Sequence, residues 1–323
     1  MHTILKSVLA RTLALALTFI TGSALAATPV AVWNGDFATL TKGGVTLDLN
    51  GNDATAKRYI QISTDYGIKL TGFSSTQVTV LVGYQNLSTS DTTTDKHCLC
   101  TLGSEASDGN DDLVGAAVIP SSKEITGVYQ SGWWESSSNR RAKTKYPRDT
   151  TSATEYFFAY SQDHNGNTGG DLYLSGDNGT FTRYWGNSGL KASNTALNRA
   201  AIGGPARHGT RYSGYGIVSC SGMKITRIAV FTQCLSTDEL AAFKWERNWT
   251  AAQSGDWSNA ENWEDGVVPQ KGDTAVIPAD AVVNVDAAAN TTGVGVQGTG
   301  TIIVHHSGNF GNANVPSDIK LPS

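Results

Sequence analysis

Apolar positions recur at every second residue through much of the chain. Val78, Val80, Val82 and Tyr84 alternate with Thr79, Leu81 and Gly83, and Tyr156, Phe158 and Tyr160 alternate with Phe157 and Ala159. A period of two places one set of side chains on each face of a β-strand. Leu172 to Leu174 predict a further strand, Asp177-Asn178-Gly179 a tight turn, and Phe181 to Trp185 the returning strand. Short strands between Gly-, Asn- and Ser-rich turns, with almost no helical period, predict an all-β sandwich or barrel.

One stretch, ITRIAVFTQCLSTDELAAF (Ile225 to Phe243), changes character halfway. Strand alternation assigns Ile228 and Val230 to one face and Ile225, Ala229 and Phe231 to the other, so both faces are expected to be covered. Ser236 followed by Glu239, flanked by Leu235 and Leu240, spells a capping box with a hydrophobic staple. Leu240 and Phe243, one turn apart, give the short helix a face to dock with.

Composition supports the same class. The chain has 35 Gly, only 2 Met and 16% charged residues, a profile of strand and turn formers. Lys6 and Arg11 precede an apolar run, Leu13 to Ile20, and Ala24-Leu25-Ala26 places small residues at cleavage positions. This is the pattern of a secretory signal peptide over residues 1–26, and it predicts bacterial-type export to the cell surface or the medium. No later stretch reaches the roughly 20 apolar residues of a membrane-spanning helix. Of 24 Lys and Arg, Lys6 and Arg11 fall in the leader, leaving 22 against 28 Asp and Glu, a net charge of −6. That balance argues against nucleic acid as a partner.

Four cysteines, Cys98, Cys100, Cys220 and Cys234, allow three pairings. Cys98 and Cys100, two apart on a strand, point the same way and splay, so a bond between them is strained. Cross-pairing with Cys220 or Cys234 is chemically better, and free buried thiols are the alternative.

The run LNRAAIGG (Leu197 to Gly204), a glycine-rich loop, GIVSCSGMKITRIAVF and LSTDELAAF resemble the closing section of laminin-G-like jelly rolls, within the concanavalin A-like lectin/glucanase sandwiches. YFFAYSQDHNGNTGGDLYLSGDNG (Tyr156 to Gly179) is similar to that family's paired central strands. Together these imply a concanavalin A-like jelly-roll sandwich over residues 27–247, closed by a short helix. From Asn248, NWTAAQSGDWSNAENWEDGVVPQKGDTAVIP resembles the Trp-rich opening of repeat modules in bacterial autotransporter-type surface proteins. This implies a small β-solenoid-like segment over 248–323, with Thr274–Ile277, Val282–Val285, Val294–Val296 and Thr301–Val304 as short strands. About three stacked coils are needed to bury a solenoid face, and the chain holds about two by this count.

Candidate chemistry is sparse. Trp133 and Trp134, followed by Arg140, Arg141, Lys143, Lys145 and Arg148, form an aromatic and basic loop. Ring faces stack on sugars and guanidinium forks grip carboxylates. Trp133, Trp134, Arg140, Arg141, Tyr184 and Trp185 are therefore the candidate glycan contacts at the sandwich rim, against the plainer reading of a solvated charged loop with one core Trp. Laminin-G-like domains often carry calcium at loop ends. The resemblance so implies a Ca2+ site at Asp163, Asn165, Asn167 and Asp171, although these residues also make ordinary turns and miss the EF-hand spacing. Trp249, Trp257 and Trp263 are assigned to the scaffold. There is no Gly-x-Ser-x-Gly elbow, no His-Glu-x-x-His and no preferred carboxylate pair. The expectation is a non-catalytic exported protein recognising extracellular glycan, acidic polysaccharide included, or a surface protein. A purely structural cap or spacer and a divergent glycoside hydrolase are the alternatives.

Overall fold

The computed structural model describes residues 27–54, 58–87, 95–105, 111–129, 144–146, 154–164, 170–176, 179–187, 196–206, 217–251, 253–286 and 289–304. Two mostly antiparallel sheets form a jelly-roll sandwich. The seven-stranded front sheet runs Ala31–Asn34, Lys224–Phe231, Gln77–Gln85, Tyr156–Asp163, Gly170–Ser175, Phe181–Asn187, with Ile60–Gln61 against Lys224–Phe231. The nine-stranded back sheet runs Thr144–Lys145, Glu124–Tyr129, Asp111–Ile119, Lys96–Glu105, Arg199–Ile202, Ile68–Thr71, Val45–Asp48, Thr41–Lys42, with Ile217–Val218 parallel to Lys96–Glu105.

Period-two alternation builds the core. Val78, Val80, Val82 and Tyr84 face inward with Phe158, Tyr160, Leu172 and Leu174, and they meet Leu47, Leu70, Leu102, Val114 and Ile202 of the back sheet in one apolar cluster. The opposite face of the front sheet is covered as well. Leu81, Ala159, Ala229 and Phe231 are buried there with Leu235, Leu240 and Trp245. Phe243 makes edge contacts to Phe231 (5.2 Å) and Trp245 (5.0 Å), and Trp245 stacks on Phe157 at 5.9 Å.

Two strand irregularities change facings that simple alternation predicts. A register shift between Ile225 and Arg227 turns Ile225 into the core beside Ile228 and Val230, leaving Ala229 and Phe231 as the apolar residues of its outer face. Another shift between Cys98 and Cys100 puts Cys100 in the core and Cys98 in the small outer cluster with Ala117, Val128 and Ile217. The two thiols therefore point apart rather than the same way, because the extra residue of a β-bulge reverses the parity of everything beyond it.

The helix Thr237–Ala242 carries the expected capping box. Ser236 Oγ accepts from Glu239 N at 3.2 Å, and Glu239 Oε2 accepts from Ser236 N at 2.8 Å. The Ser236 backbone N–H, and then its hydroxyl, which also donates to Glu239 Oε2 at 2.8 Å, hold the Glu239 carboxyl below its ordinary range. Leu240 is the buried residue of the helix and fixes it to the outer aromatic layer.

Beyond the helix the described residues stack as three parallel rungs. Trp245–Asn248, Asp273–Ile277 and Gly295–Gly298 form one three-stranded sheet, and Ser254–Asp256, Val282–Val285 and Thr301–Val304 another. Three coils rather than two meet the packing requirement. The extra rung lacks an apolar signal: its strands read Trp-Glu-Arg-Asn and Ser-Gly-Asp. Its first strand also begins at Trp245, inside the span assigned to the sandwich. Trp249, Trp257 and Trp263 fill the interior with Ala275, Val283 and Ile302. Trp263 contacts both other rings at 4.9 Å and donates its Nε1–H to the Trp257 carbonyl at 2.8 Å.

Ser236→Ala is expected to cost about 1 kcal/mol, the usual value of an N-cap, measured by urea denaturation. Glu239's folded carboxyl is depressed, so its contribution is complete above the ordinary glutamate value of about 4.3. It fades as pH falls through the lower folded value. Alanine keeps the backbone N–H donor to Glu239 and removes only the hydroxyl, so the variant should show a weakened acid-side dependence rather than none.

Candidate functional site

The sandwich and the parallel module meet at a buried polar junction. Alternation in Trp245–Asn248 turns Trp245 and Arg247 inward and leaves Glu246 and Asn248 exposed. Arg247 is 2% exposed and donates through Nη2 to the Asn34 carbonyl. Asn34 Nδ2 donates in turn to the Glu246 carbonyl at 3.2 Å and to Asp273 Oδ1 at 3.3 Å.

Arg227 is the centre of this junction. Its Nε donates to Glu155 Oε1 at 3.0 Å, Nη1 to Asp273 Oδ1, and Nη2 to the Lys271 carbonyl at 3.2 Å. Its guanidinium carbon lies 5.8 Å from the Phe157 ring centre and 5.7 Å from that of Trp245. Glu155 also accepts from Thr226 Oγ1 at 2.5 Å, and Asp273 Oδ2 accepts from Gln270 N at 2.8 Å. Gly272, at φ +91°, makes the left-handed turn between Lys271 and Asp273. One guanidinium so binds a sandwich carboxylate and a module carboxylate at once.

A cleft of about 780 Å³ opens over this junction. Arg58, Tyr59, Gln85, Tyr156, Gln270 and Lys271 are among its walls, above Glu155, Arg227 and Asp273. Among the described residues, four cationic ones, Arg58, Arg227, Arg247 and Lys271, line it against two acidic ones, Glu155 and Asp273. The acidic pair is engaged by Arg227, while Arg58 and Lys271 are exposed. The local charge is thus opposite in sign to that of the chain as a whole. Both carboxylates are engaged by the guanidinium and by neighbouring donors, an arrangement suited to holding two layers together.

The residues singled out in the sequence are dispersed. Trp133, Trp134, Arg140 and Arg141 lie outside the described residues, as do Asn165 and Asn167. Trp185 is not a rim contact: it is 2% exposed and packs in the sandwich core, because it pairs with the inward-facing Leu172 on the strand Phe181–Asn187. Tyr184 is half-buried on the same strand and packs against that core. Asp163 accepts from Gln77 Nε2 at 3.1 Å. Asp171 binds Arg183 Nη2 at 2.6 Å and accepts from Tyr173 Oη at 3.3 Å. Burial, then the Asp171 charge, pushes the Tyr173 hydroxyl up to about 12, and the Asp171 hydrogen bond raises Arg183. Among the described residues no three His, Cys, Asp or Glu side chains cluster as a metal site. The cleft residues carry no local motif. Arg58, Glu155, Arg227 and Asp273 come from separate segments, and only the unusual Arg227 inside an apolar strand marks the place.

No family model matches the chain, and no curated protein matches it. Among solved structures it is similar to a Trypanosoma rangeli sialidase in complex with 2,3-difluorosialic acid, at 11% identity and TM-score 0.43, covering 68% of this chain and 33% of that one. It is also similar to the Ruminococcus gnavus IT-sialidase CBM40 bound to alpha2,3 sialyllactose (16% identity, TM-score 0.34, 58% and 96% covered). A third is the Emp46p carbohydrate recognition domain in its potassium-bound form (11%, TM-score 0.36, 59% and 90% covered). The chain spans about a third of the sialidase's length, and similarities of this size carry no functional conclusion.

Arg227→Met is expected to destabilise the protein by about 3–5 kcal/mol, the usual cost of leaving buried partner charges uncompensated. Adding Asp273→Asn and Glu155→Gln should recover part of the loss. Thermal denaturation of the single and triple variants measures both, and equal losses in the two would contradict the shared-guanidinium account.

Proposed function

We propose that the chain is an exported, non-catalytic protein that recognises acidic glycan at the sandwich–module cleft. The observation that carries this reading is the cationic excess of the cleft in an otherwise acidic chain, with Arg58 and Lys271 exposed at its walls. Its volume falls in the usual range for small-ligand sites, and the Tyr59 and Tyr156 rings supply apolar surface beside the charges. Guanidinium and ammonium groups there meet a uronate or sulfate, while the amides of Gln85 and Gln270 meet hydroxyls. The engagement of Glu155 and Asp273 by Arg227 supports binding over hydrolysis.

The Trp133–Arg141 loop is a second contact surface in this proposal, and several weak contacts acting together would raise retention. The Asp163–Asp171 turn keeps calcium as the one metal the reading accommodates. A glycan array run with calcium and with chelator tests that part, and a chelator-insensitive profile removes the metal. The architectural reading, a spacer without ligand, is favoured instead if no glycan is retained.

Arg58→Ala with Lys271→Ala should reduce retention on an immobilised acidic polysaccharide at least tenfold. Wild-type retention should fall as salt rises, since exposed charges are screened over about 8–10 Å at physiological ionic strength. Arg140→Ala with Arg141→Ala separates the loop from the cleft. Unchanged retention in the cleft variant rejects the cleft, and release of reducing sugar by the wild type rejects the non-catalytic reading.

A further inference from the structure

The module repeats one turn from rung to rung. Gln270, Lys271, Gly272 and Asp273 close a turn ahead of the second-rung strand, with Asp273 N donating to Gln270 O at 2.8 Å and Gly272 at φ +91°. Thr291, Thr292, Gly293 and Val294 close the same turn ahead of the third, with Val294 N donating to Thr291 O at 3.1 Å and Gly293 at φ +71°. A positive φ at the third position of such a turn selects glycine. The parallel register sets Thr274 opposite Gly295, and the turns before those residues meet in the same order: Gly272 N donates to Gly293 O at 2.9 Å.

Lys271 occupies the space this stacking leaves. A Cβ on Gly293 would stand 2.9 Å from Lys271 Cγ, 3.6 Å from its Cδ and 3.7 Å from its Cβ. The lysine stem therefore lies across the bare Cα of the next rung. The shortest of these separations is well inside the about 3.5–4.0 Å at which carbon atoms rest in contact. The encroached atom is near the root of the side chain. Relief requires rotation about the first side-chain torsion to another staggered well, which carries the whole stem and its ammonium along. From the other side, Arg227 Nη2 donates to the Lys271 carbonyl at 3.2 Å. Backbone and stem are thus both held, although Lys271 is exposed.

We propose that Gly293 is a positioning residue of the cationic cleft: its missing side chain sets the course of the Lys271 stem and so brings the third rung into binding of the acidic ligand. The inference rests on the glycan reading above. Among the described residues that line the cleft, none belongs to the third rung, so Gly293 acts only through Lys271. A lysine stem free in solvent loses rotamer freedom when its ammonium pairs with an anion. A stem already laid along a neighbouring backbone has given up part of that freedom on folding, so less is lost on binding. A methyl group added at Gly293 would turn the ammonium away from a uronate or sulfate seated in the cleft.

The test measures retention of the full chain on immobilised polygalacturonate, a uronate polymer, and on dextran sulfate over a series of salt concentrations. Gly293→Ala should weaken retention roughly two- to fivefold, about the value of one exposed ion pair, and flatten its salt dependence as Lys271→Ala does. In the Lys271→Ala background it should change neither quantity further, because a residue acting through Lys271 then has nothing to act on. Gly266→Ala controls for backbone strain. Gly266 has φ +66°, and an added Cβ there meets no heavy atom within 4 Å beyond its chain neighbours, so that variant should lose stability but keep wild-type retention. Isotope-labelled reductive methylation of the lysines, followed by NMR, reads the same geometry without ligand. The Lys271 signal, identified by its absence in Lys271→Ala, should move in Gly293→Ala and not in Gly266→Ala. Additive losses, wild-type retention in Gly293→Ala or an unmoved Lys271 signal overturns the role of Gly293. A wild type retained by neither polymer instead sinks the glycan reading, and the role in binding falls with it.

Discussion

A buried guanidinium is costly unless its nitrogens find acceptors, and Arg227 finds one for each of its three nitrogens only because sandwich and module come together. Its Nε satisfies Glu155 from the sandwich, while Nη1 and Nη2 satisfy Asp273 and the Lys271 carbonyl from the module. Removing either body would leave part of this charge cluster without partners in a poorly hydrated place. Arg247 repeats the arrangement in the other direction, reaching from the module to the Asn34 carbonyl of the first sandwich strand. The two arginines explain how three short rungs persist beside a large sandwich: the first rung is partly held by the sandwich's own polar groups.

The same junction places the cleft. The front sheet has little free surface, since its inner face is core and much of its outer face is sealed by Leu240, Phe243 and Trp245. Concavity arises instead where the sandwich and the module diverge around Arg227. The charged residues needed for assembly line its floor, and Arg58 and Lys271 stand at its walls. A structural necessity and a candidate binding surface therefore share residues.

Much of the sandwich was legible in local pattern. Alternation at Val78–Tyr84 and Tyr156–Tyr160 located two central strands, and Ser236–Glu239 located the helix start, because strand facing and capping depend on neighbours in sequence. Facing failed where a bulge intervened, at Ile225 and at Cys98–Cys100, since the extra residue is specified by pairing with a distant strand. Trp185 misled for a related reason: an aromatic beside turn residues looks like a rim contact until its partner, Leu172, shows which face it shares.

The sequence by itself determined the all-β class, the capped helix, the scaffold role of the three module tryptophans and the four short strands that follow them. The first two follow from periodicity and capping chemistry and the third from the need to bury large rings, while the four strands came from the resemblance to Trp-rich repeat modules. The tertiary structure alone decided that the first rung begins at Trp245, that Arg227 joins two carboxylates 118 residues apart in the chain, and that a cationic cleft lies above them. Contacts between Glu155 and Asp273 through one guanidinium leave no trace in local spacing, because their energy depends on desolvation and proximity that arise only when the layers close.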